Sequence, residues 1–222
     1  MSLPEAVVFD NDGTLLDTEQ AWTRAETELF ARRGVVFEDA HKKDLLGSSR
    51  TTAAGKLEAI LERPGEGFAL YDELHELVME EALKGVAPRP GAAELIAQLR
   101  AAGVPLAVAS NSERPFLERV LDGARWLDAG VFDAVVSATD VDHPKPAPDL
   151  YLRACEALGA QPTRSFAFED SATGVASAVA AGLRTIGVPY FPGEALPGAH
   201  VMAASLADPV VLAELGLDPV AT

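Results

Sequence analysis

The chain has 222 residues, 48% hydrophobic and 23% charged, which is enough for one large soluble domain or one domain carrying an insert. Asp and Glu total 34 against 18 Lys and Arg, and the net charge of -16 argues against nucleic acid or an anionic membrane as partner. A lone cysteine, Cys155, excludes an internal disulfide, and neither a membrane-length apolar run nor a signal-like N-terminus is present, so a cytoplasmic protein is expected.

The first apolar run, Ala6 to Phe9, predicts a short buried strand. Helical periodicity follows over Glu19 to Arg33, closed by Gly34, and returns over Thr51 to Glu62 and Leu70 to Lys84, with no convincing strand between. A helix over Ala92 to Ala102 is entered through Pro90-Gly91 and left at Gly103. Strands are then predicted at Leu106 to Ala109, Ala134 to Val136, Phe166 to Phe168, Thr185 to Val188 and His200 to Ala203. Helices interleave them at Arg114 to Leu121, Asp149 to Leu158 and Thr173 to Ala181.

Strands that alternate with helices imply a parallel sheet covered on both faces, a doubly wound, Rossmann-like α/β core. That core takes residues 1–16 and 89–222, and residues 17–88 break the rhythm as an all-helical cap. Hinges are expected near Leu16-Asp17-Thr18 and Gly85-Val86-Ala87-Pro88, so that the insert works as a lid. Cys155 lies among Ala154, Ala157 and Leu158 and reads as a small packed hydrophobe.

Ligands of open α/β sheets bind outside the carboxyl ends of the strands, and most reactive groups fall there. Asp10-Asn11-Asp12 follows the first strand, Ser110-Asn111-Ser112 the second, a loop with Lys145 the third, and Glu169-Asp170 the fourth. Each has an ordinary alternative. Asp-x-Asp before Gly13-Thr14 suits a turn, Ser112 and Ser171 suit helix N-caps, Lys145 suits a solvated loop, and Glu169-Asp170 suits surface charge. Their conjunction at four strand ends is what argues for a site.

"DNDGTLLD" resembles the first motif of the haloacid dehalogenase superfamily, DxDGTxxD; Ser110, Lys145 in "KPAPD" and "EDSATG" resemble the second, third and fourth. The resemblance spans nearly the whole chain, including a helical cap between the first and second motifs as in the phosphatases and β-phosphoglucomutases of that superfamily. It implies a Mg²⁺ ion held by Asp10, Asp170 and the backbone carbonyl of Asp12, with Glu169 orienting a water or coordinating weakly. It further implies Asp10 as a nucleophile that forms an aspartyl phosphate, and Asp12 as the proton carrier. Ser110, the Asn111 amide and Lys145 would hold the phosphoryl oxygens, and Gly13 and Thr14 would bring backbone amides to the phosphate. Expelling a halide needs no proton whereas expelling an alkoxide does, so Asp12 favours phosphate chemistry over dehalogenation.

Specificity is expected from the cap, with Glu19, Trp22 and the segment Gly47 to Thr52 as candidates. Arg50 suits either a clamp on a carboxylate or second phosphate or a solvated helix start, and Trp22 suits either a sugar platform or core packing. The four histidines lack metal spacing. The resulting expectation is a Mg²⁺-dependent phosphatase for a small phosphorylated metabolite, a monomer or weak homodimer. A β-phosphoglucomutase is the nearest alternative: "GSSR" and "ALKGV" are similar to that subgroup, whereas Trp22 stands where it carries His. A non-catalytic binding protein would have lost a motif, and none is lost.

Overall fold

The computed structural model describes residues 3–45, 48, 50–126 and 130–218. Two compact units divide the chain, Met1–Asp17 with Ala87–Thr222, and Thr18–Val86. After β1 (Val7–Phe9) come the four helices described in the second unit: α1 (Thr18–Ala31), α2 (Asp39–Leu45), α3 (Arg50–Ile60) and α4 (Gly67–Leu83). The chain then continues through α5 (Ala92–Ala101), β2 (Leu106–Ala109), α6 (Arg114–Gly123), β3 (Ala134–Val136) and α7 (Asp149–Leu158). β4 (Phe166–Glu169), α8 (Ala172–Ala180), β5 (Arg184–Gly187), β6 (Val201–Met202) and α9 (Pro209–Leu215) complete it.

The six strands described form one parallel sheet in the order β3-β2-β1-β4-β5-β6, the doubly wound topology expected. Parallel strands need helical crossovers that cover both faces, which is why β1 to β4 are apolar runs without polar alternation. On one face Val8 aligns with Ala107 and Ala167 and joins Leu150, Tyr151 and Ala154 of α7 and Ala178 of α8. On the other, Phe9 aligns with Phe168 and stacks on it at 5.1 Å between ring centroids. Each such ring, fully buried, contributes on the order of 2–3 kcal/mol. Cys155 belongs to the α7 core, and burial, countered by a hydrogen bond from Ser165, pushes its thiol up to about 11, so it packs and does not react at neutral pH.

In the helical unit, Ala21, Ala25 and Leu29 of α1 and Leu70, Leu74 and Leu77 of α4 recur at helical spacing and are buried. Arg24 of α1 pairs with Glu81 of α4 at 2.7 Å, and Arg33, just past the end of α1, pairs with Glu73 of α4 at 2.5 Å.

Two helices escape the sequence pattern. α2 buries only Leu45, so it has no apolar stripe to read. α9 carries its signal in its ends: Asp208 accepts from the Val210 amide at 3.1 Å, Pro209 opens the first turn, and Gly216 closes the last at φ +68°. Ser171 caps α8, accepting from the Gly174 amide at 3.0 Å, but Ser112 caps nothing, since α6 begins after Glu113. No helix among the described residues is long and apolar enough to cross a membrane.

Candidate active site

β1 lies between β2 and β4 in register, so the residues that leave these three strands emerge side by side at one edge of the sheet. Backbone bonds fix the exits: the Asp10 amide donates to Phe168 O at 3.0 Å and the Ser110 amide to Val136 O at 3.0 Å.

Lys145 is the hub. The residue is 8% exposed, and its ammonium donates to Asp10 Oδ1 and to Glu169 Oε1, both at 2.6 Å. Glu169 is fully buried, and its Oε1 also accepts from the Tyr151 hydroxyl at 2.6 Å while Oε2 accepts from Ser171 Oγ at 3.3 Å. Burial alone would pull the lysine down; the two carboxylates outweigh it and hold Lys145 above its ordinary value. Asp10 is pushed the other way, up to about 8, by burial first, with Lys145 opposing and Glu169 and Asp12 adding to the rise. Its Oδ2 is buried without a hydrogen-bond partner.

Asp10, Glu169 and Asp170 each place a carboxylate oxygen within 4.8 Å of the others. An unpartnered buried oxygen, Asp10 Oδ2, in a cluster of three carboxylates is a fit for a hard divalent cation. Two glycines make room for the cluster. A Cβ on Gly13, at φ +82°, would stand 2.0 Å from Asp170 Oδ2, and one on Gly174 would stand 2.0 Å from the Glu169 carboxylate.

The Asp12 carboxylate is held differently. Oδ2 accepts from Ser110 Oγ and Ser112 Oγ, both at 2.8 Å, and Oδ1 from Asn11 Nδ2 at 3.1 Å. Ser110 Oγ also accepts from the Ser112 amide at 2.9 Å, so its proton is directed at Asp12. The Asn111 side chain grips the backbone of Lys145, accepting from its amide at 2.8 Å and donating to its carbonyl at 3.2 Å. The Thr14 hydroxyl is buried and without a partner.

Asp10, Asp12, Gly13, Thr14, Ser110, Asn111, Lys145, Glu169 and Asp170 thus all belong to the sheet unit, whereas Glu19 and Arg50 belong to the helical unit. Lys42 stands 2.8 Å from Glu19, an ion pair without hydrogen-bond geometry. Arg50 pairs with Asp72 at 2.6 Å and lies 5.6 Å from the Phe68 ring centroid and 5.9 Å from that of Tyr71. Trp22 is half-buried on α1. Gly47 and Ser49 of the expected specificity segment lie outside the described residues.

The sequence reading takes Ser112 as a helix cap and does not single out Tyr151. The second left a signal, because a tyrosine at a fully apolar helix face needs a partner for its hydroxyl.

A family model for haloacid dehalogenase-like hydrolases matches residues 4–182. The chain is 36% identical to protein CbbY of Rhodobacter capsulatus over 195 residues, 83% of this chain and 85% of that one. It is 33% identical to a fructose-1-phosphate phosphatase of Escherichia coli over 186 residues, 82% and 95% of the two. Among solved structures, CbbY from Rhodobacter sphaeroides in complex with phosphate aligns at TM-score 0.78 and 31% identity, covering 92% of this chain and 96% of that one.

Proposed function

The chain belongs to the haloacid dehalogenase-like hydrolases, and on that basis we propose that it is a Mg²⁺-dependent phosphatase acting on a small phosphate monoester, a sugar phosphate or a phosphoglycolate-like compound. The observation that carries this reading is the divided state of the two aspartates. Asp10 keeps a buried oxygen open beside Lys145, whereas Asp12 is turned away from that cluster onto two serine hydroxyls.

Asp10, Asp170 and the Asp12 carbonyl would hold the metal, with Glu169, already bonded to Lys145, Tyr151 and Ser171, acting on a water ligand. When bound, Mg²⁺ draws charge from the phosphoryl oxygens and balances the carboxylates. The Asp10 carboxylate attacks phosphorus in line; the new O–P bond of the aspartyl phosphate, an acyl phosphate, forms as the bond to the alkoxide breaks. Asp12 gives its proton to that alkoxide, which leaves as an alcohol. Asp12 then takes a proton from the water that attacks phosphorus, and inorganic phosphate departs, freeing Asp10. Lys145 holds a phosphoryl oxygen and the Asp10 carboxylate in one frame, and Ser110 and Ser112 keep Asp12 aimed. The helical unit would act as the cap that reads the organic part of the substrate, through Glu19 and Arg50.

The test is hydrolysis of an aryl phosphate with and without Mg²⁺, in the parent and in Asp10→Asn. Metal-dependent release that disappears in the variant is expected, and equal rates in the two proteins would reject the reading. The likeness of "GSSR" and "ALKGV" to the mutase subgroup keeps β-phosphoglucomutase as the second reading; phosphate release from β-glucose 1-phosphate without glucose 6-phosphate excludes it.

A further inference from the structure

Between Val188 and Ala199 the chain leaves β5 and crosses the site edge of the sheet unit with neither helix nor strand. Half-buried Tyr190 lies in this loop. Its hydroxyl donates to Asp17 Oδ1 at 2.8 Å, and the Arg89 guanidinium lies 4.5 Å from its ring centroid. A Cβ built on Gly13 would stand 3.4 Å from Tyr190 Cδ2, so the ring rests against the turn that bears Asp12.

These partners have one thing in common. Asp17 is the last residue of the sheet unit before the helical insert, and Arg89 is the third after re-entry at Ala87. The two crossings also pair by backbone, Asp17 N to Ala87 O and Arg89 N to Leu15 O, each at 2.8 Å. The turn between them is short and self-bonded, Gly13 N to Leu16 O at 2.9 Å and Leu16 N to Asn11 O at 3.0 Å. Displacement of Asp17 is therefore passed to Gly13 and Asp12 through few bonds.

We propose that Tyr190 is a positioning residue: by fastening Asp17 and Arg89 to the β5 loop, it fixes the turn of residues 11–17 on which Asp12 and the Gly13 and Thr14 amides are carried. The bond accepted by a carboxylate gives the clasp its strength, and the cation over the ring gives it a second hold.

The kinetic part of this inference rests on the phosphatase reading, but its structural part needs no substrate. In Tyr190→Phe, which keeps the ring and loses the hydroxyl, amide exchange at Asp17 and Arg89 should accelerate several-fold while the Asp10 amide in the sheet is unaffected. With an aryl phosphate, kcat/KM should fall about three- to tenfold, the scale of one lost hydrogen bond. Asp17→Ala should fall at least as far, Tyr190→Phe should cost nothing further in that background, and Asp17→Asn, whose Oδ1 still accepts, should recover most of the loss. Unchanged exchange in Tyr190→Phe, or losses that add in the double variant, would overturn the proposal. A parent inactive on every phosphate ester would instead remove the phosphatase reading and leave the exchange measurement to decide the clasp.

Discussion

Lys145 occupies only one oxygen of Asp10: its ammonium stands 2.6 Å from Oδ1, and Oδ2, also buried, has no hydrogen-bond partner. In the metal-free protein burial, aided by Glu169 and Asp12 against Lys145, pushes Asp10 up to about 8, so near neutrality a proton competes for the place a cation would take. Mg²⁺ affinity should therefore rise with pH, by up to about tenfold per unit below 8, and level off above it. The stability sign is opposite. A folded value above the ordinary 3.8 stabilises the metal-free fold fully below 3.8, and the contribution is lost as pH rises through about 8. Calorimetric titration at several pH values tests the first statement and metal-free melts test the second; affinity independent of pH from 6 to 8 would contradict the competition.

Ser112 shares Asp12 Oδ2 with Ser110 at the same distance, 2.8 Å. Ser112→Ala should leave the fold intact and reduce kcat by roughly tenfold, the scale of one lost hydrogen bond. Steady-state kinetics across pH decides it; a change in KM alone would place Ser112 outside proton transfer.

Gly174 has no room for a side chain, because its Cβ would meet the Glu169 carboxylate at 2.0 Å. Alanine there must push Glu169 away from Lys145 and Tyr151. The expected cost is about 1–3 kcal/mol in thermal unfolding, together with weaker Mg²⁺ binding, although alanine is the better helix former. A variant as stable as its parent would show that Glu169 has somewhere else to go.

Glu26 gives the helical unit its own pH dependence. It is 3% exposed, accepts from Lys42 at 3.0 Å, and is pushed up to about 7 by burial, with Lys42 opposing and Glu19 adding. Because the folded value exceeds the ordinary 4.5, the stabilisation is complete below 4.5 and fades as pH climbs through about 7, by at most roughly 3 kcal/mol. In Glu26→Gln the urea midpoint followed by circular dichroism should be flatter between pH 5 and 7.5 than in the parent. Parallel slopes would trace the dependence to another group.

The sheet was legible because both-face burial leaves uninterrupted apolar runs, and the site because its residues stand at the ends of those runs or, for Lys145, in the loop that follows one. Asp10, Ser110, Lys145 and Asp170 could be placed at one rim from spacing alone. What spacing does not carry is the partner of each atom. Ser112 looks like a cap candidate, yet it donates to Asp12 beside Ser110; Tyr151 looks like core, yet it holds Glu169. Tyr190 was invisible for a further reason: it contacts Asp17 across 173 positions, from a loop with no periodicity. α2 was missed because a seven-residue helix with one buried side chain has no period to detect.

The alignment of Phe9 with Phe168 has a bearing on how preparations of this enzyme should be judged. A slip of β4 by a single residue would send Phe168 to the α7 side, exchange it with alanine, and rotate Asp170 away from Asp10. Such a chain would remain compact and helical, and gross spectroscopy would pass it as native. Specific activity therefore counts the fraction of molecules whose strands are threaded correctly, which no measure of secondary structure content supplies.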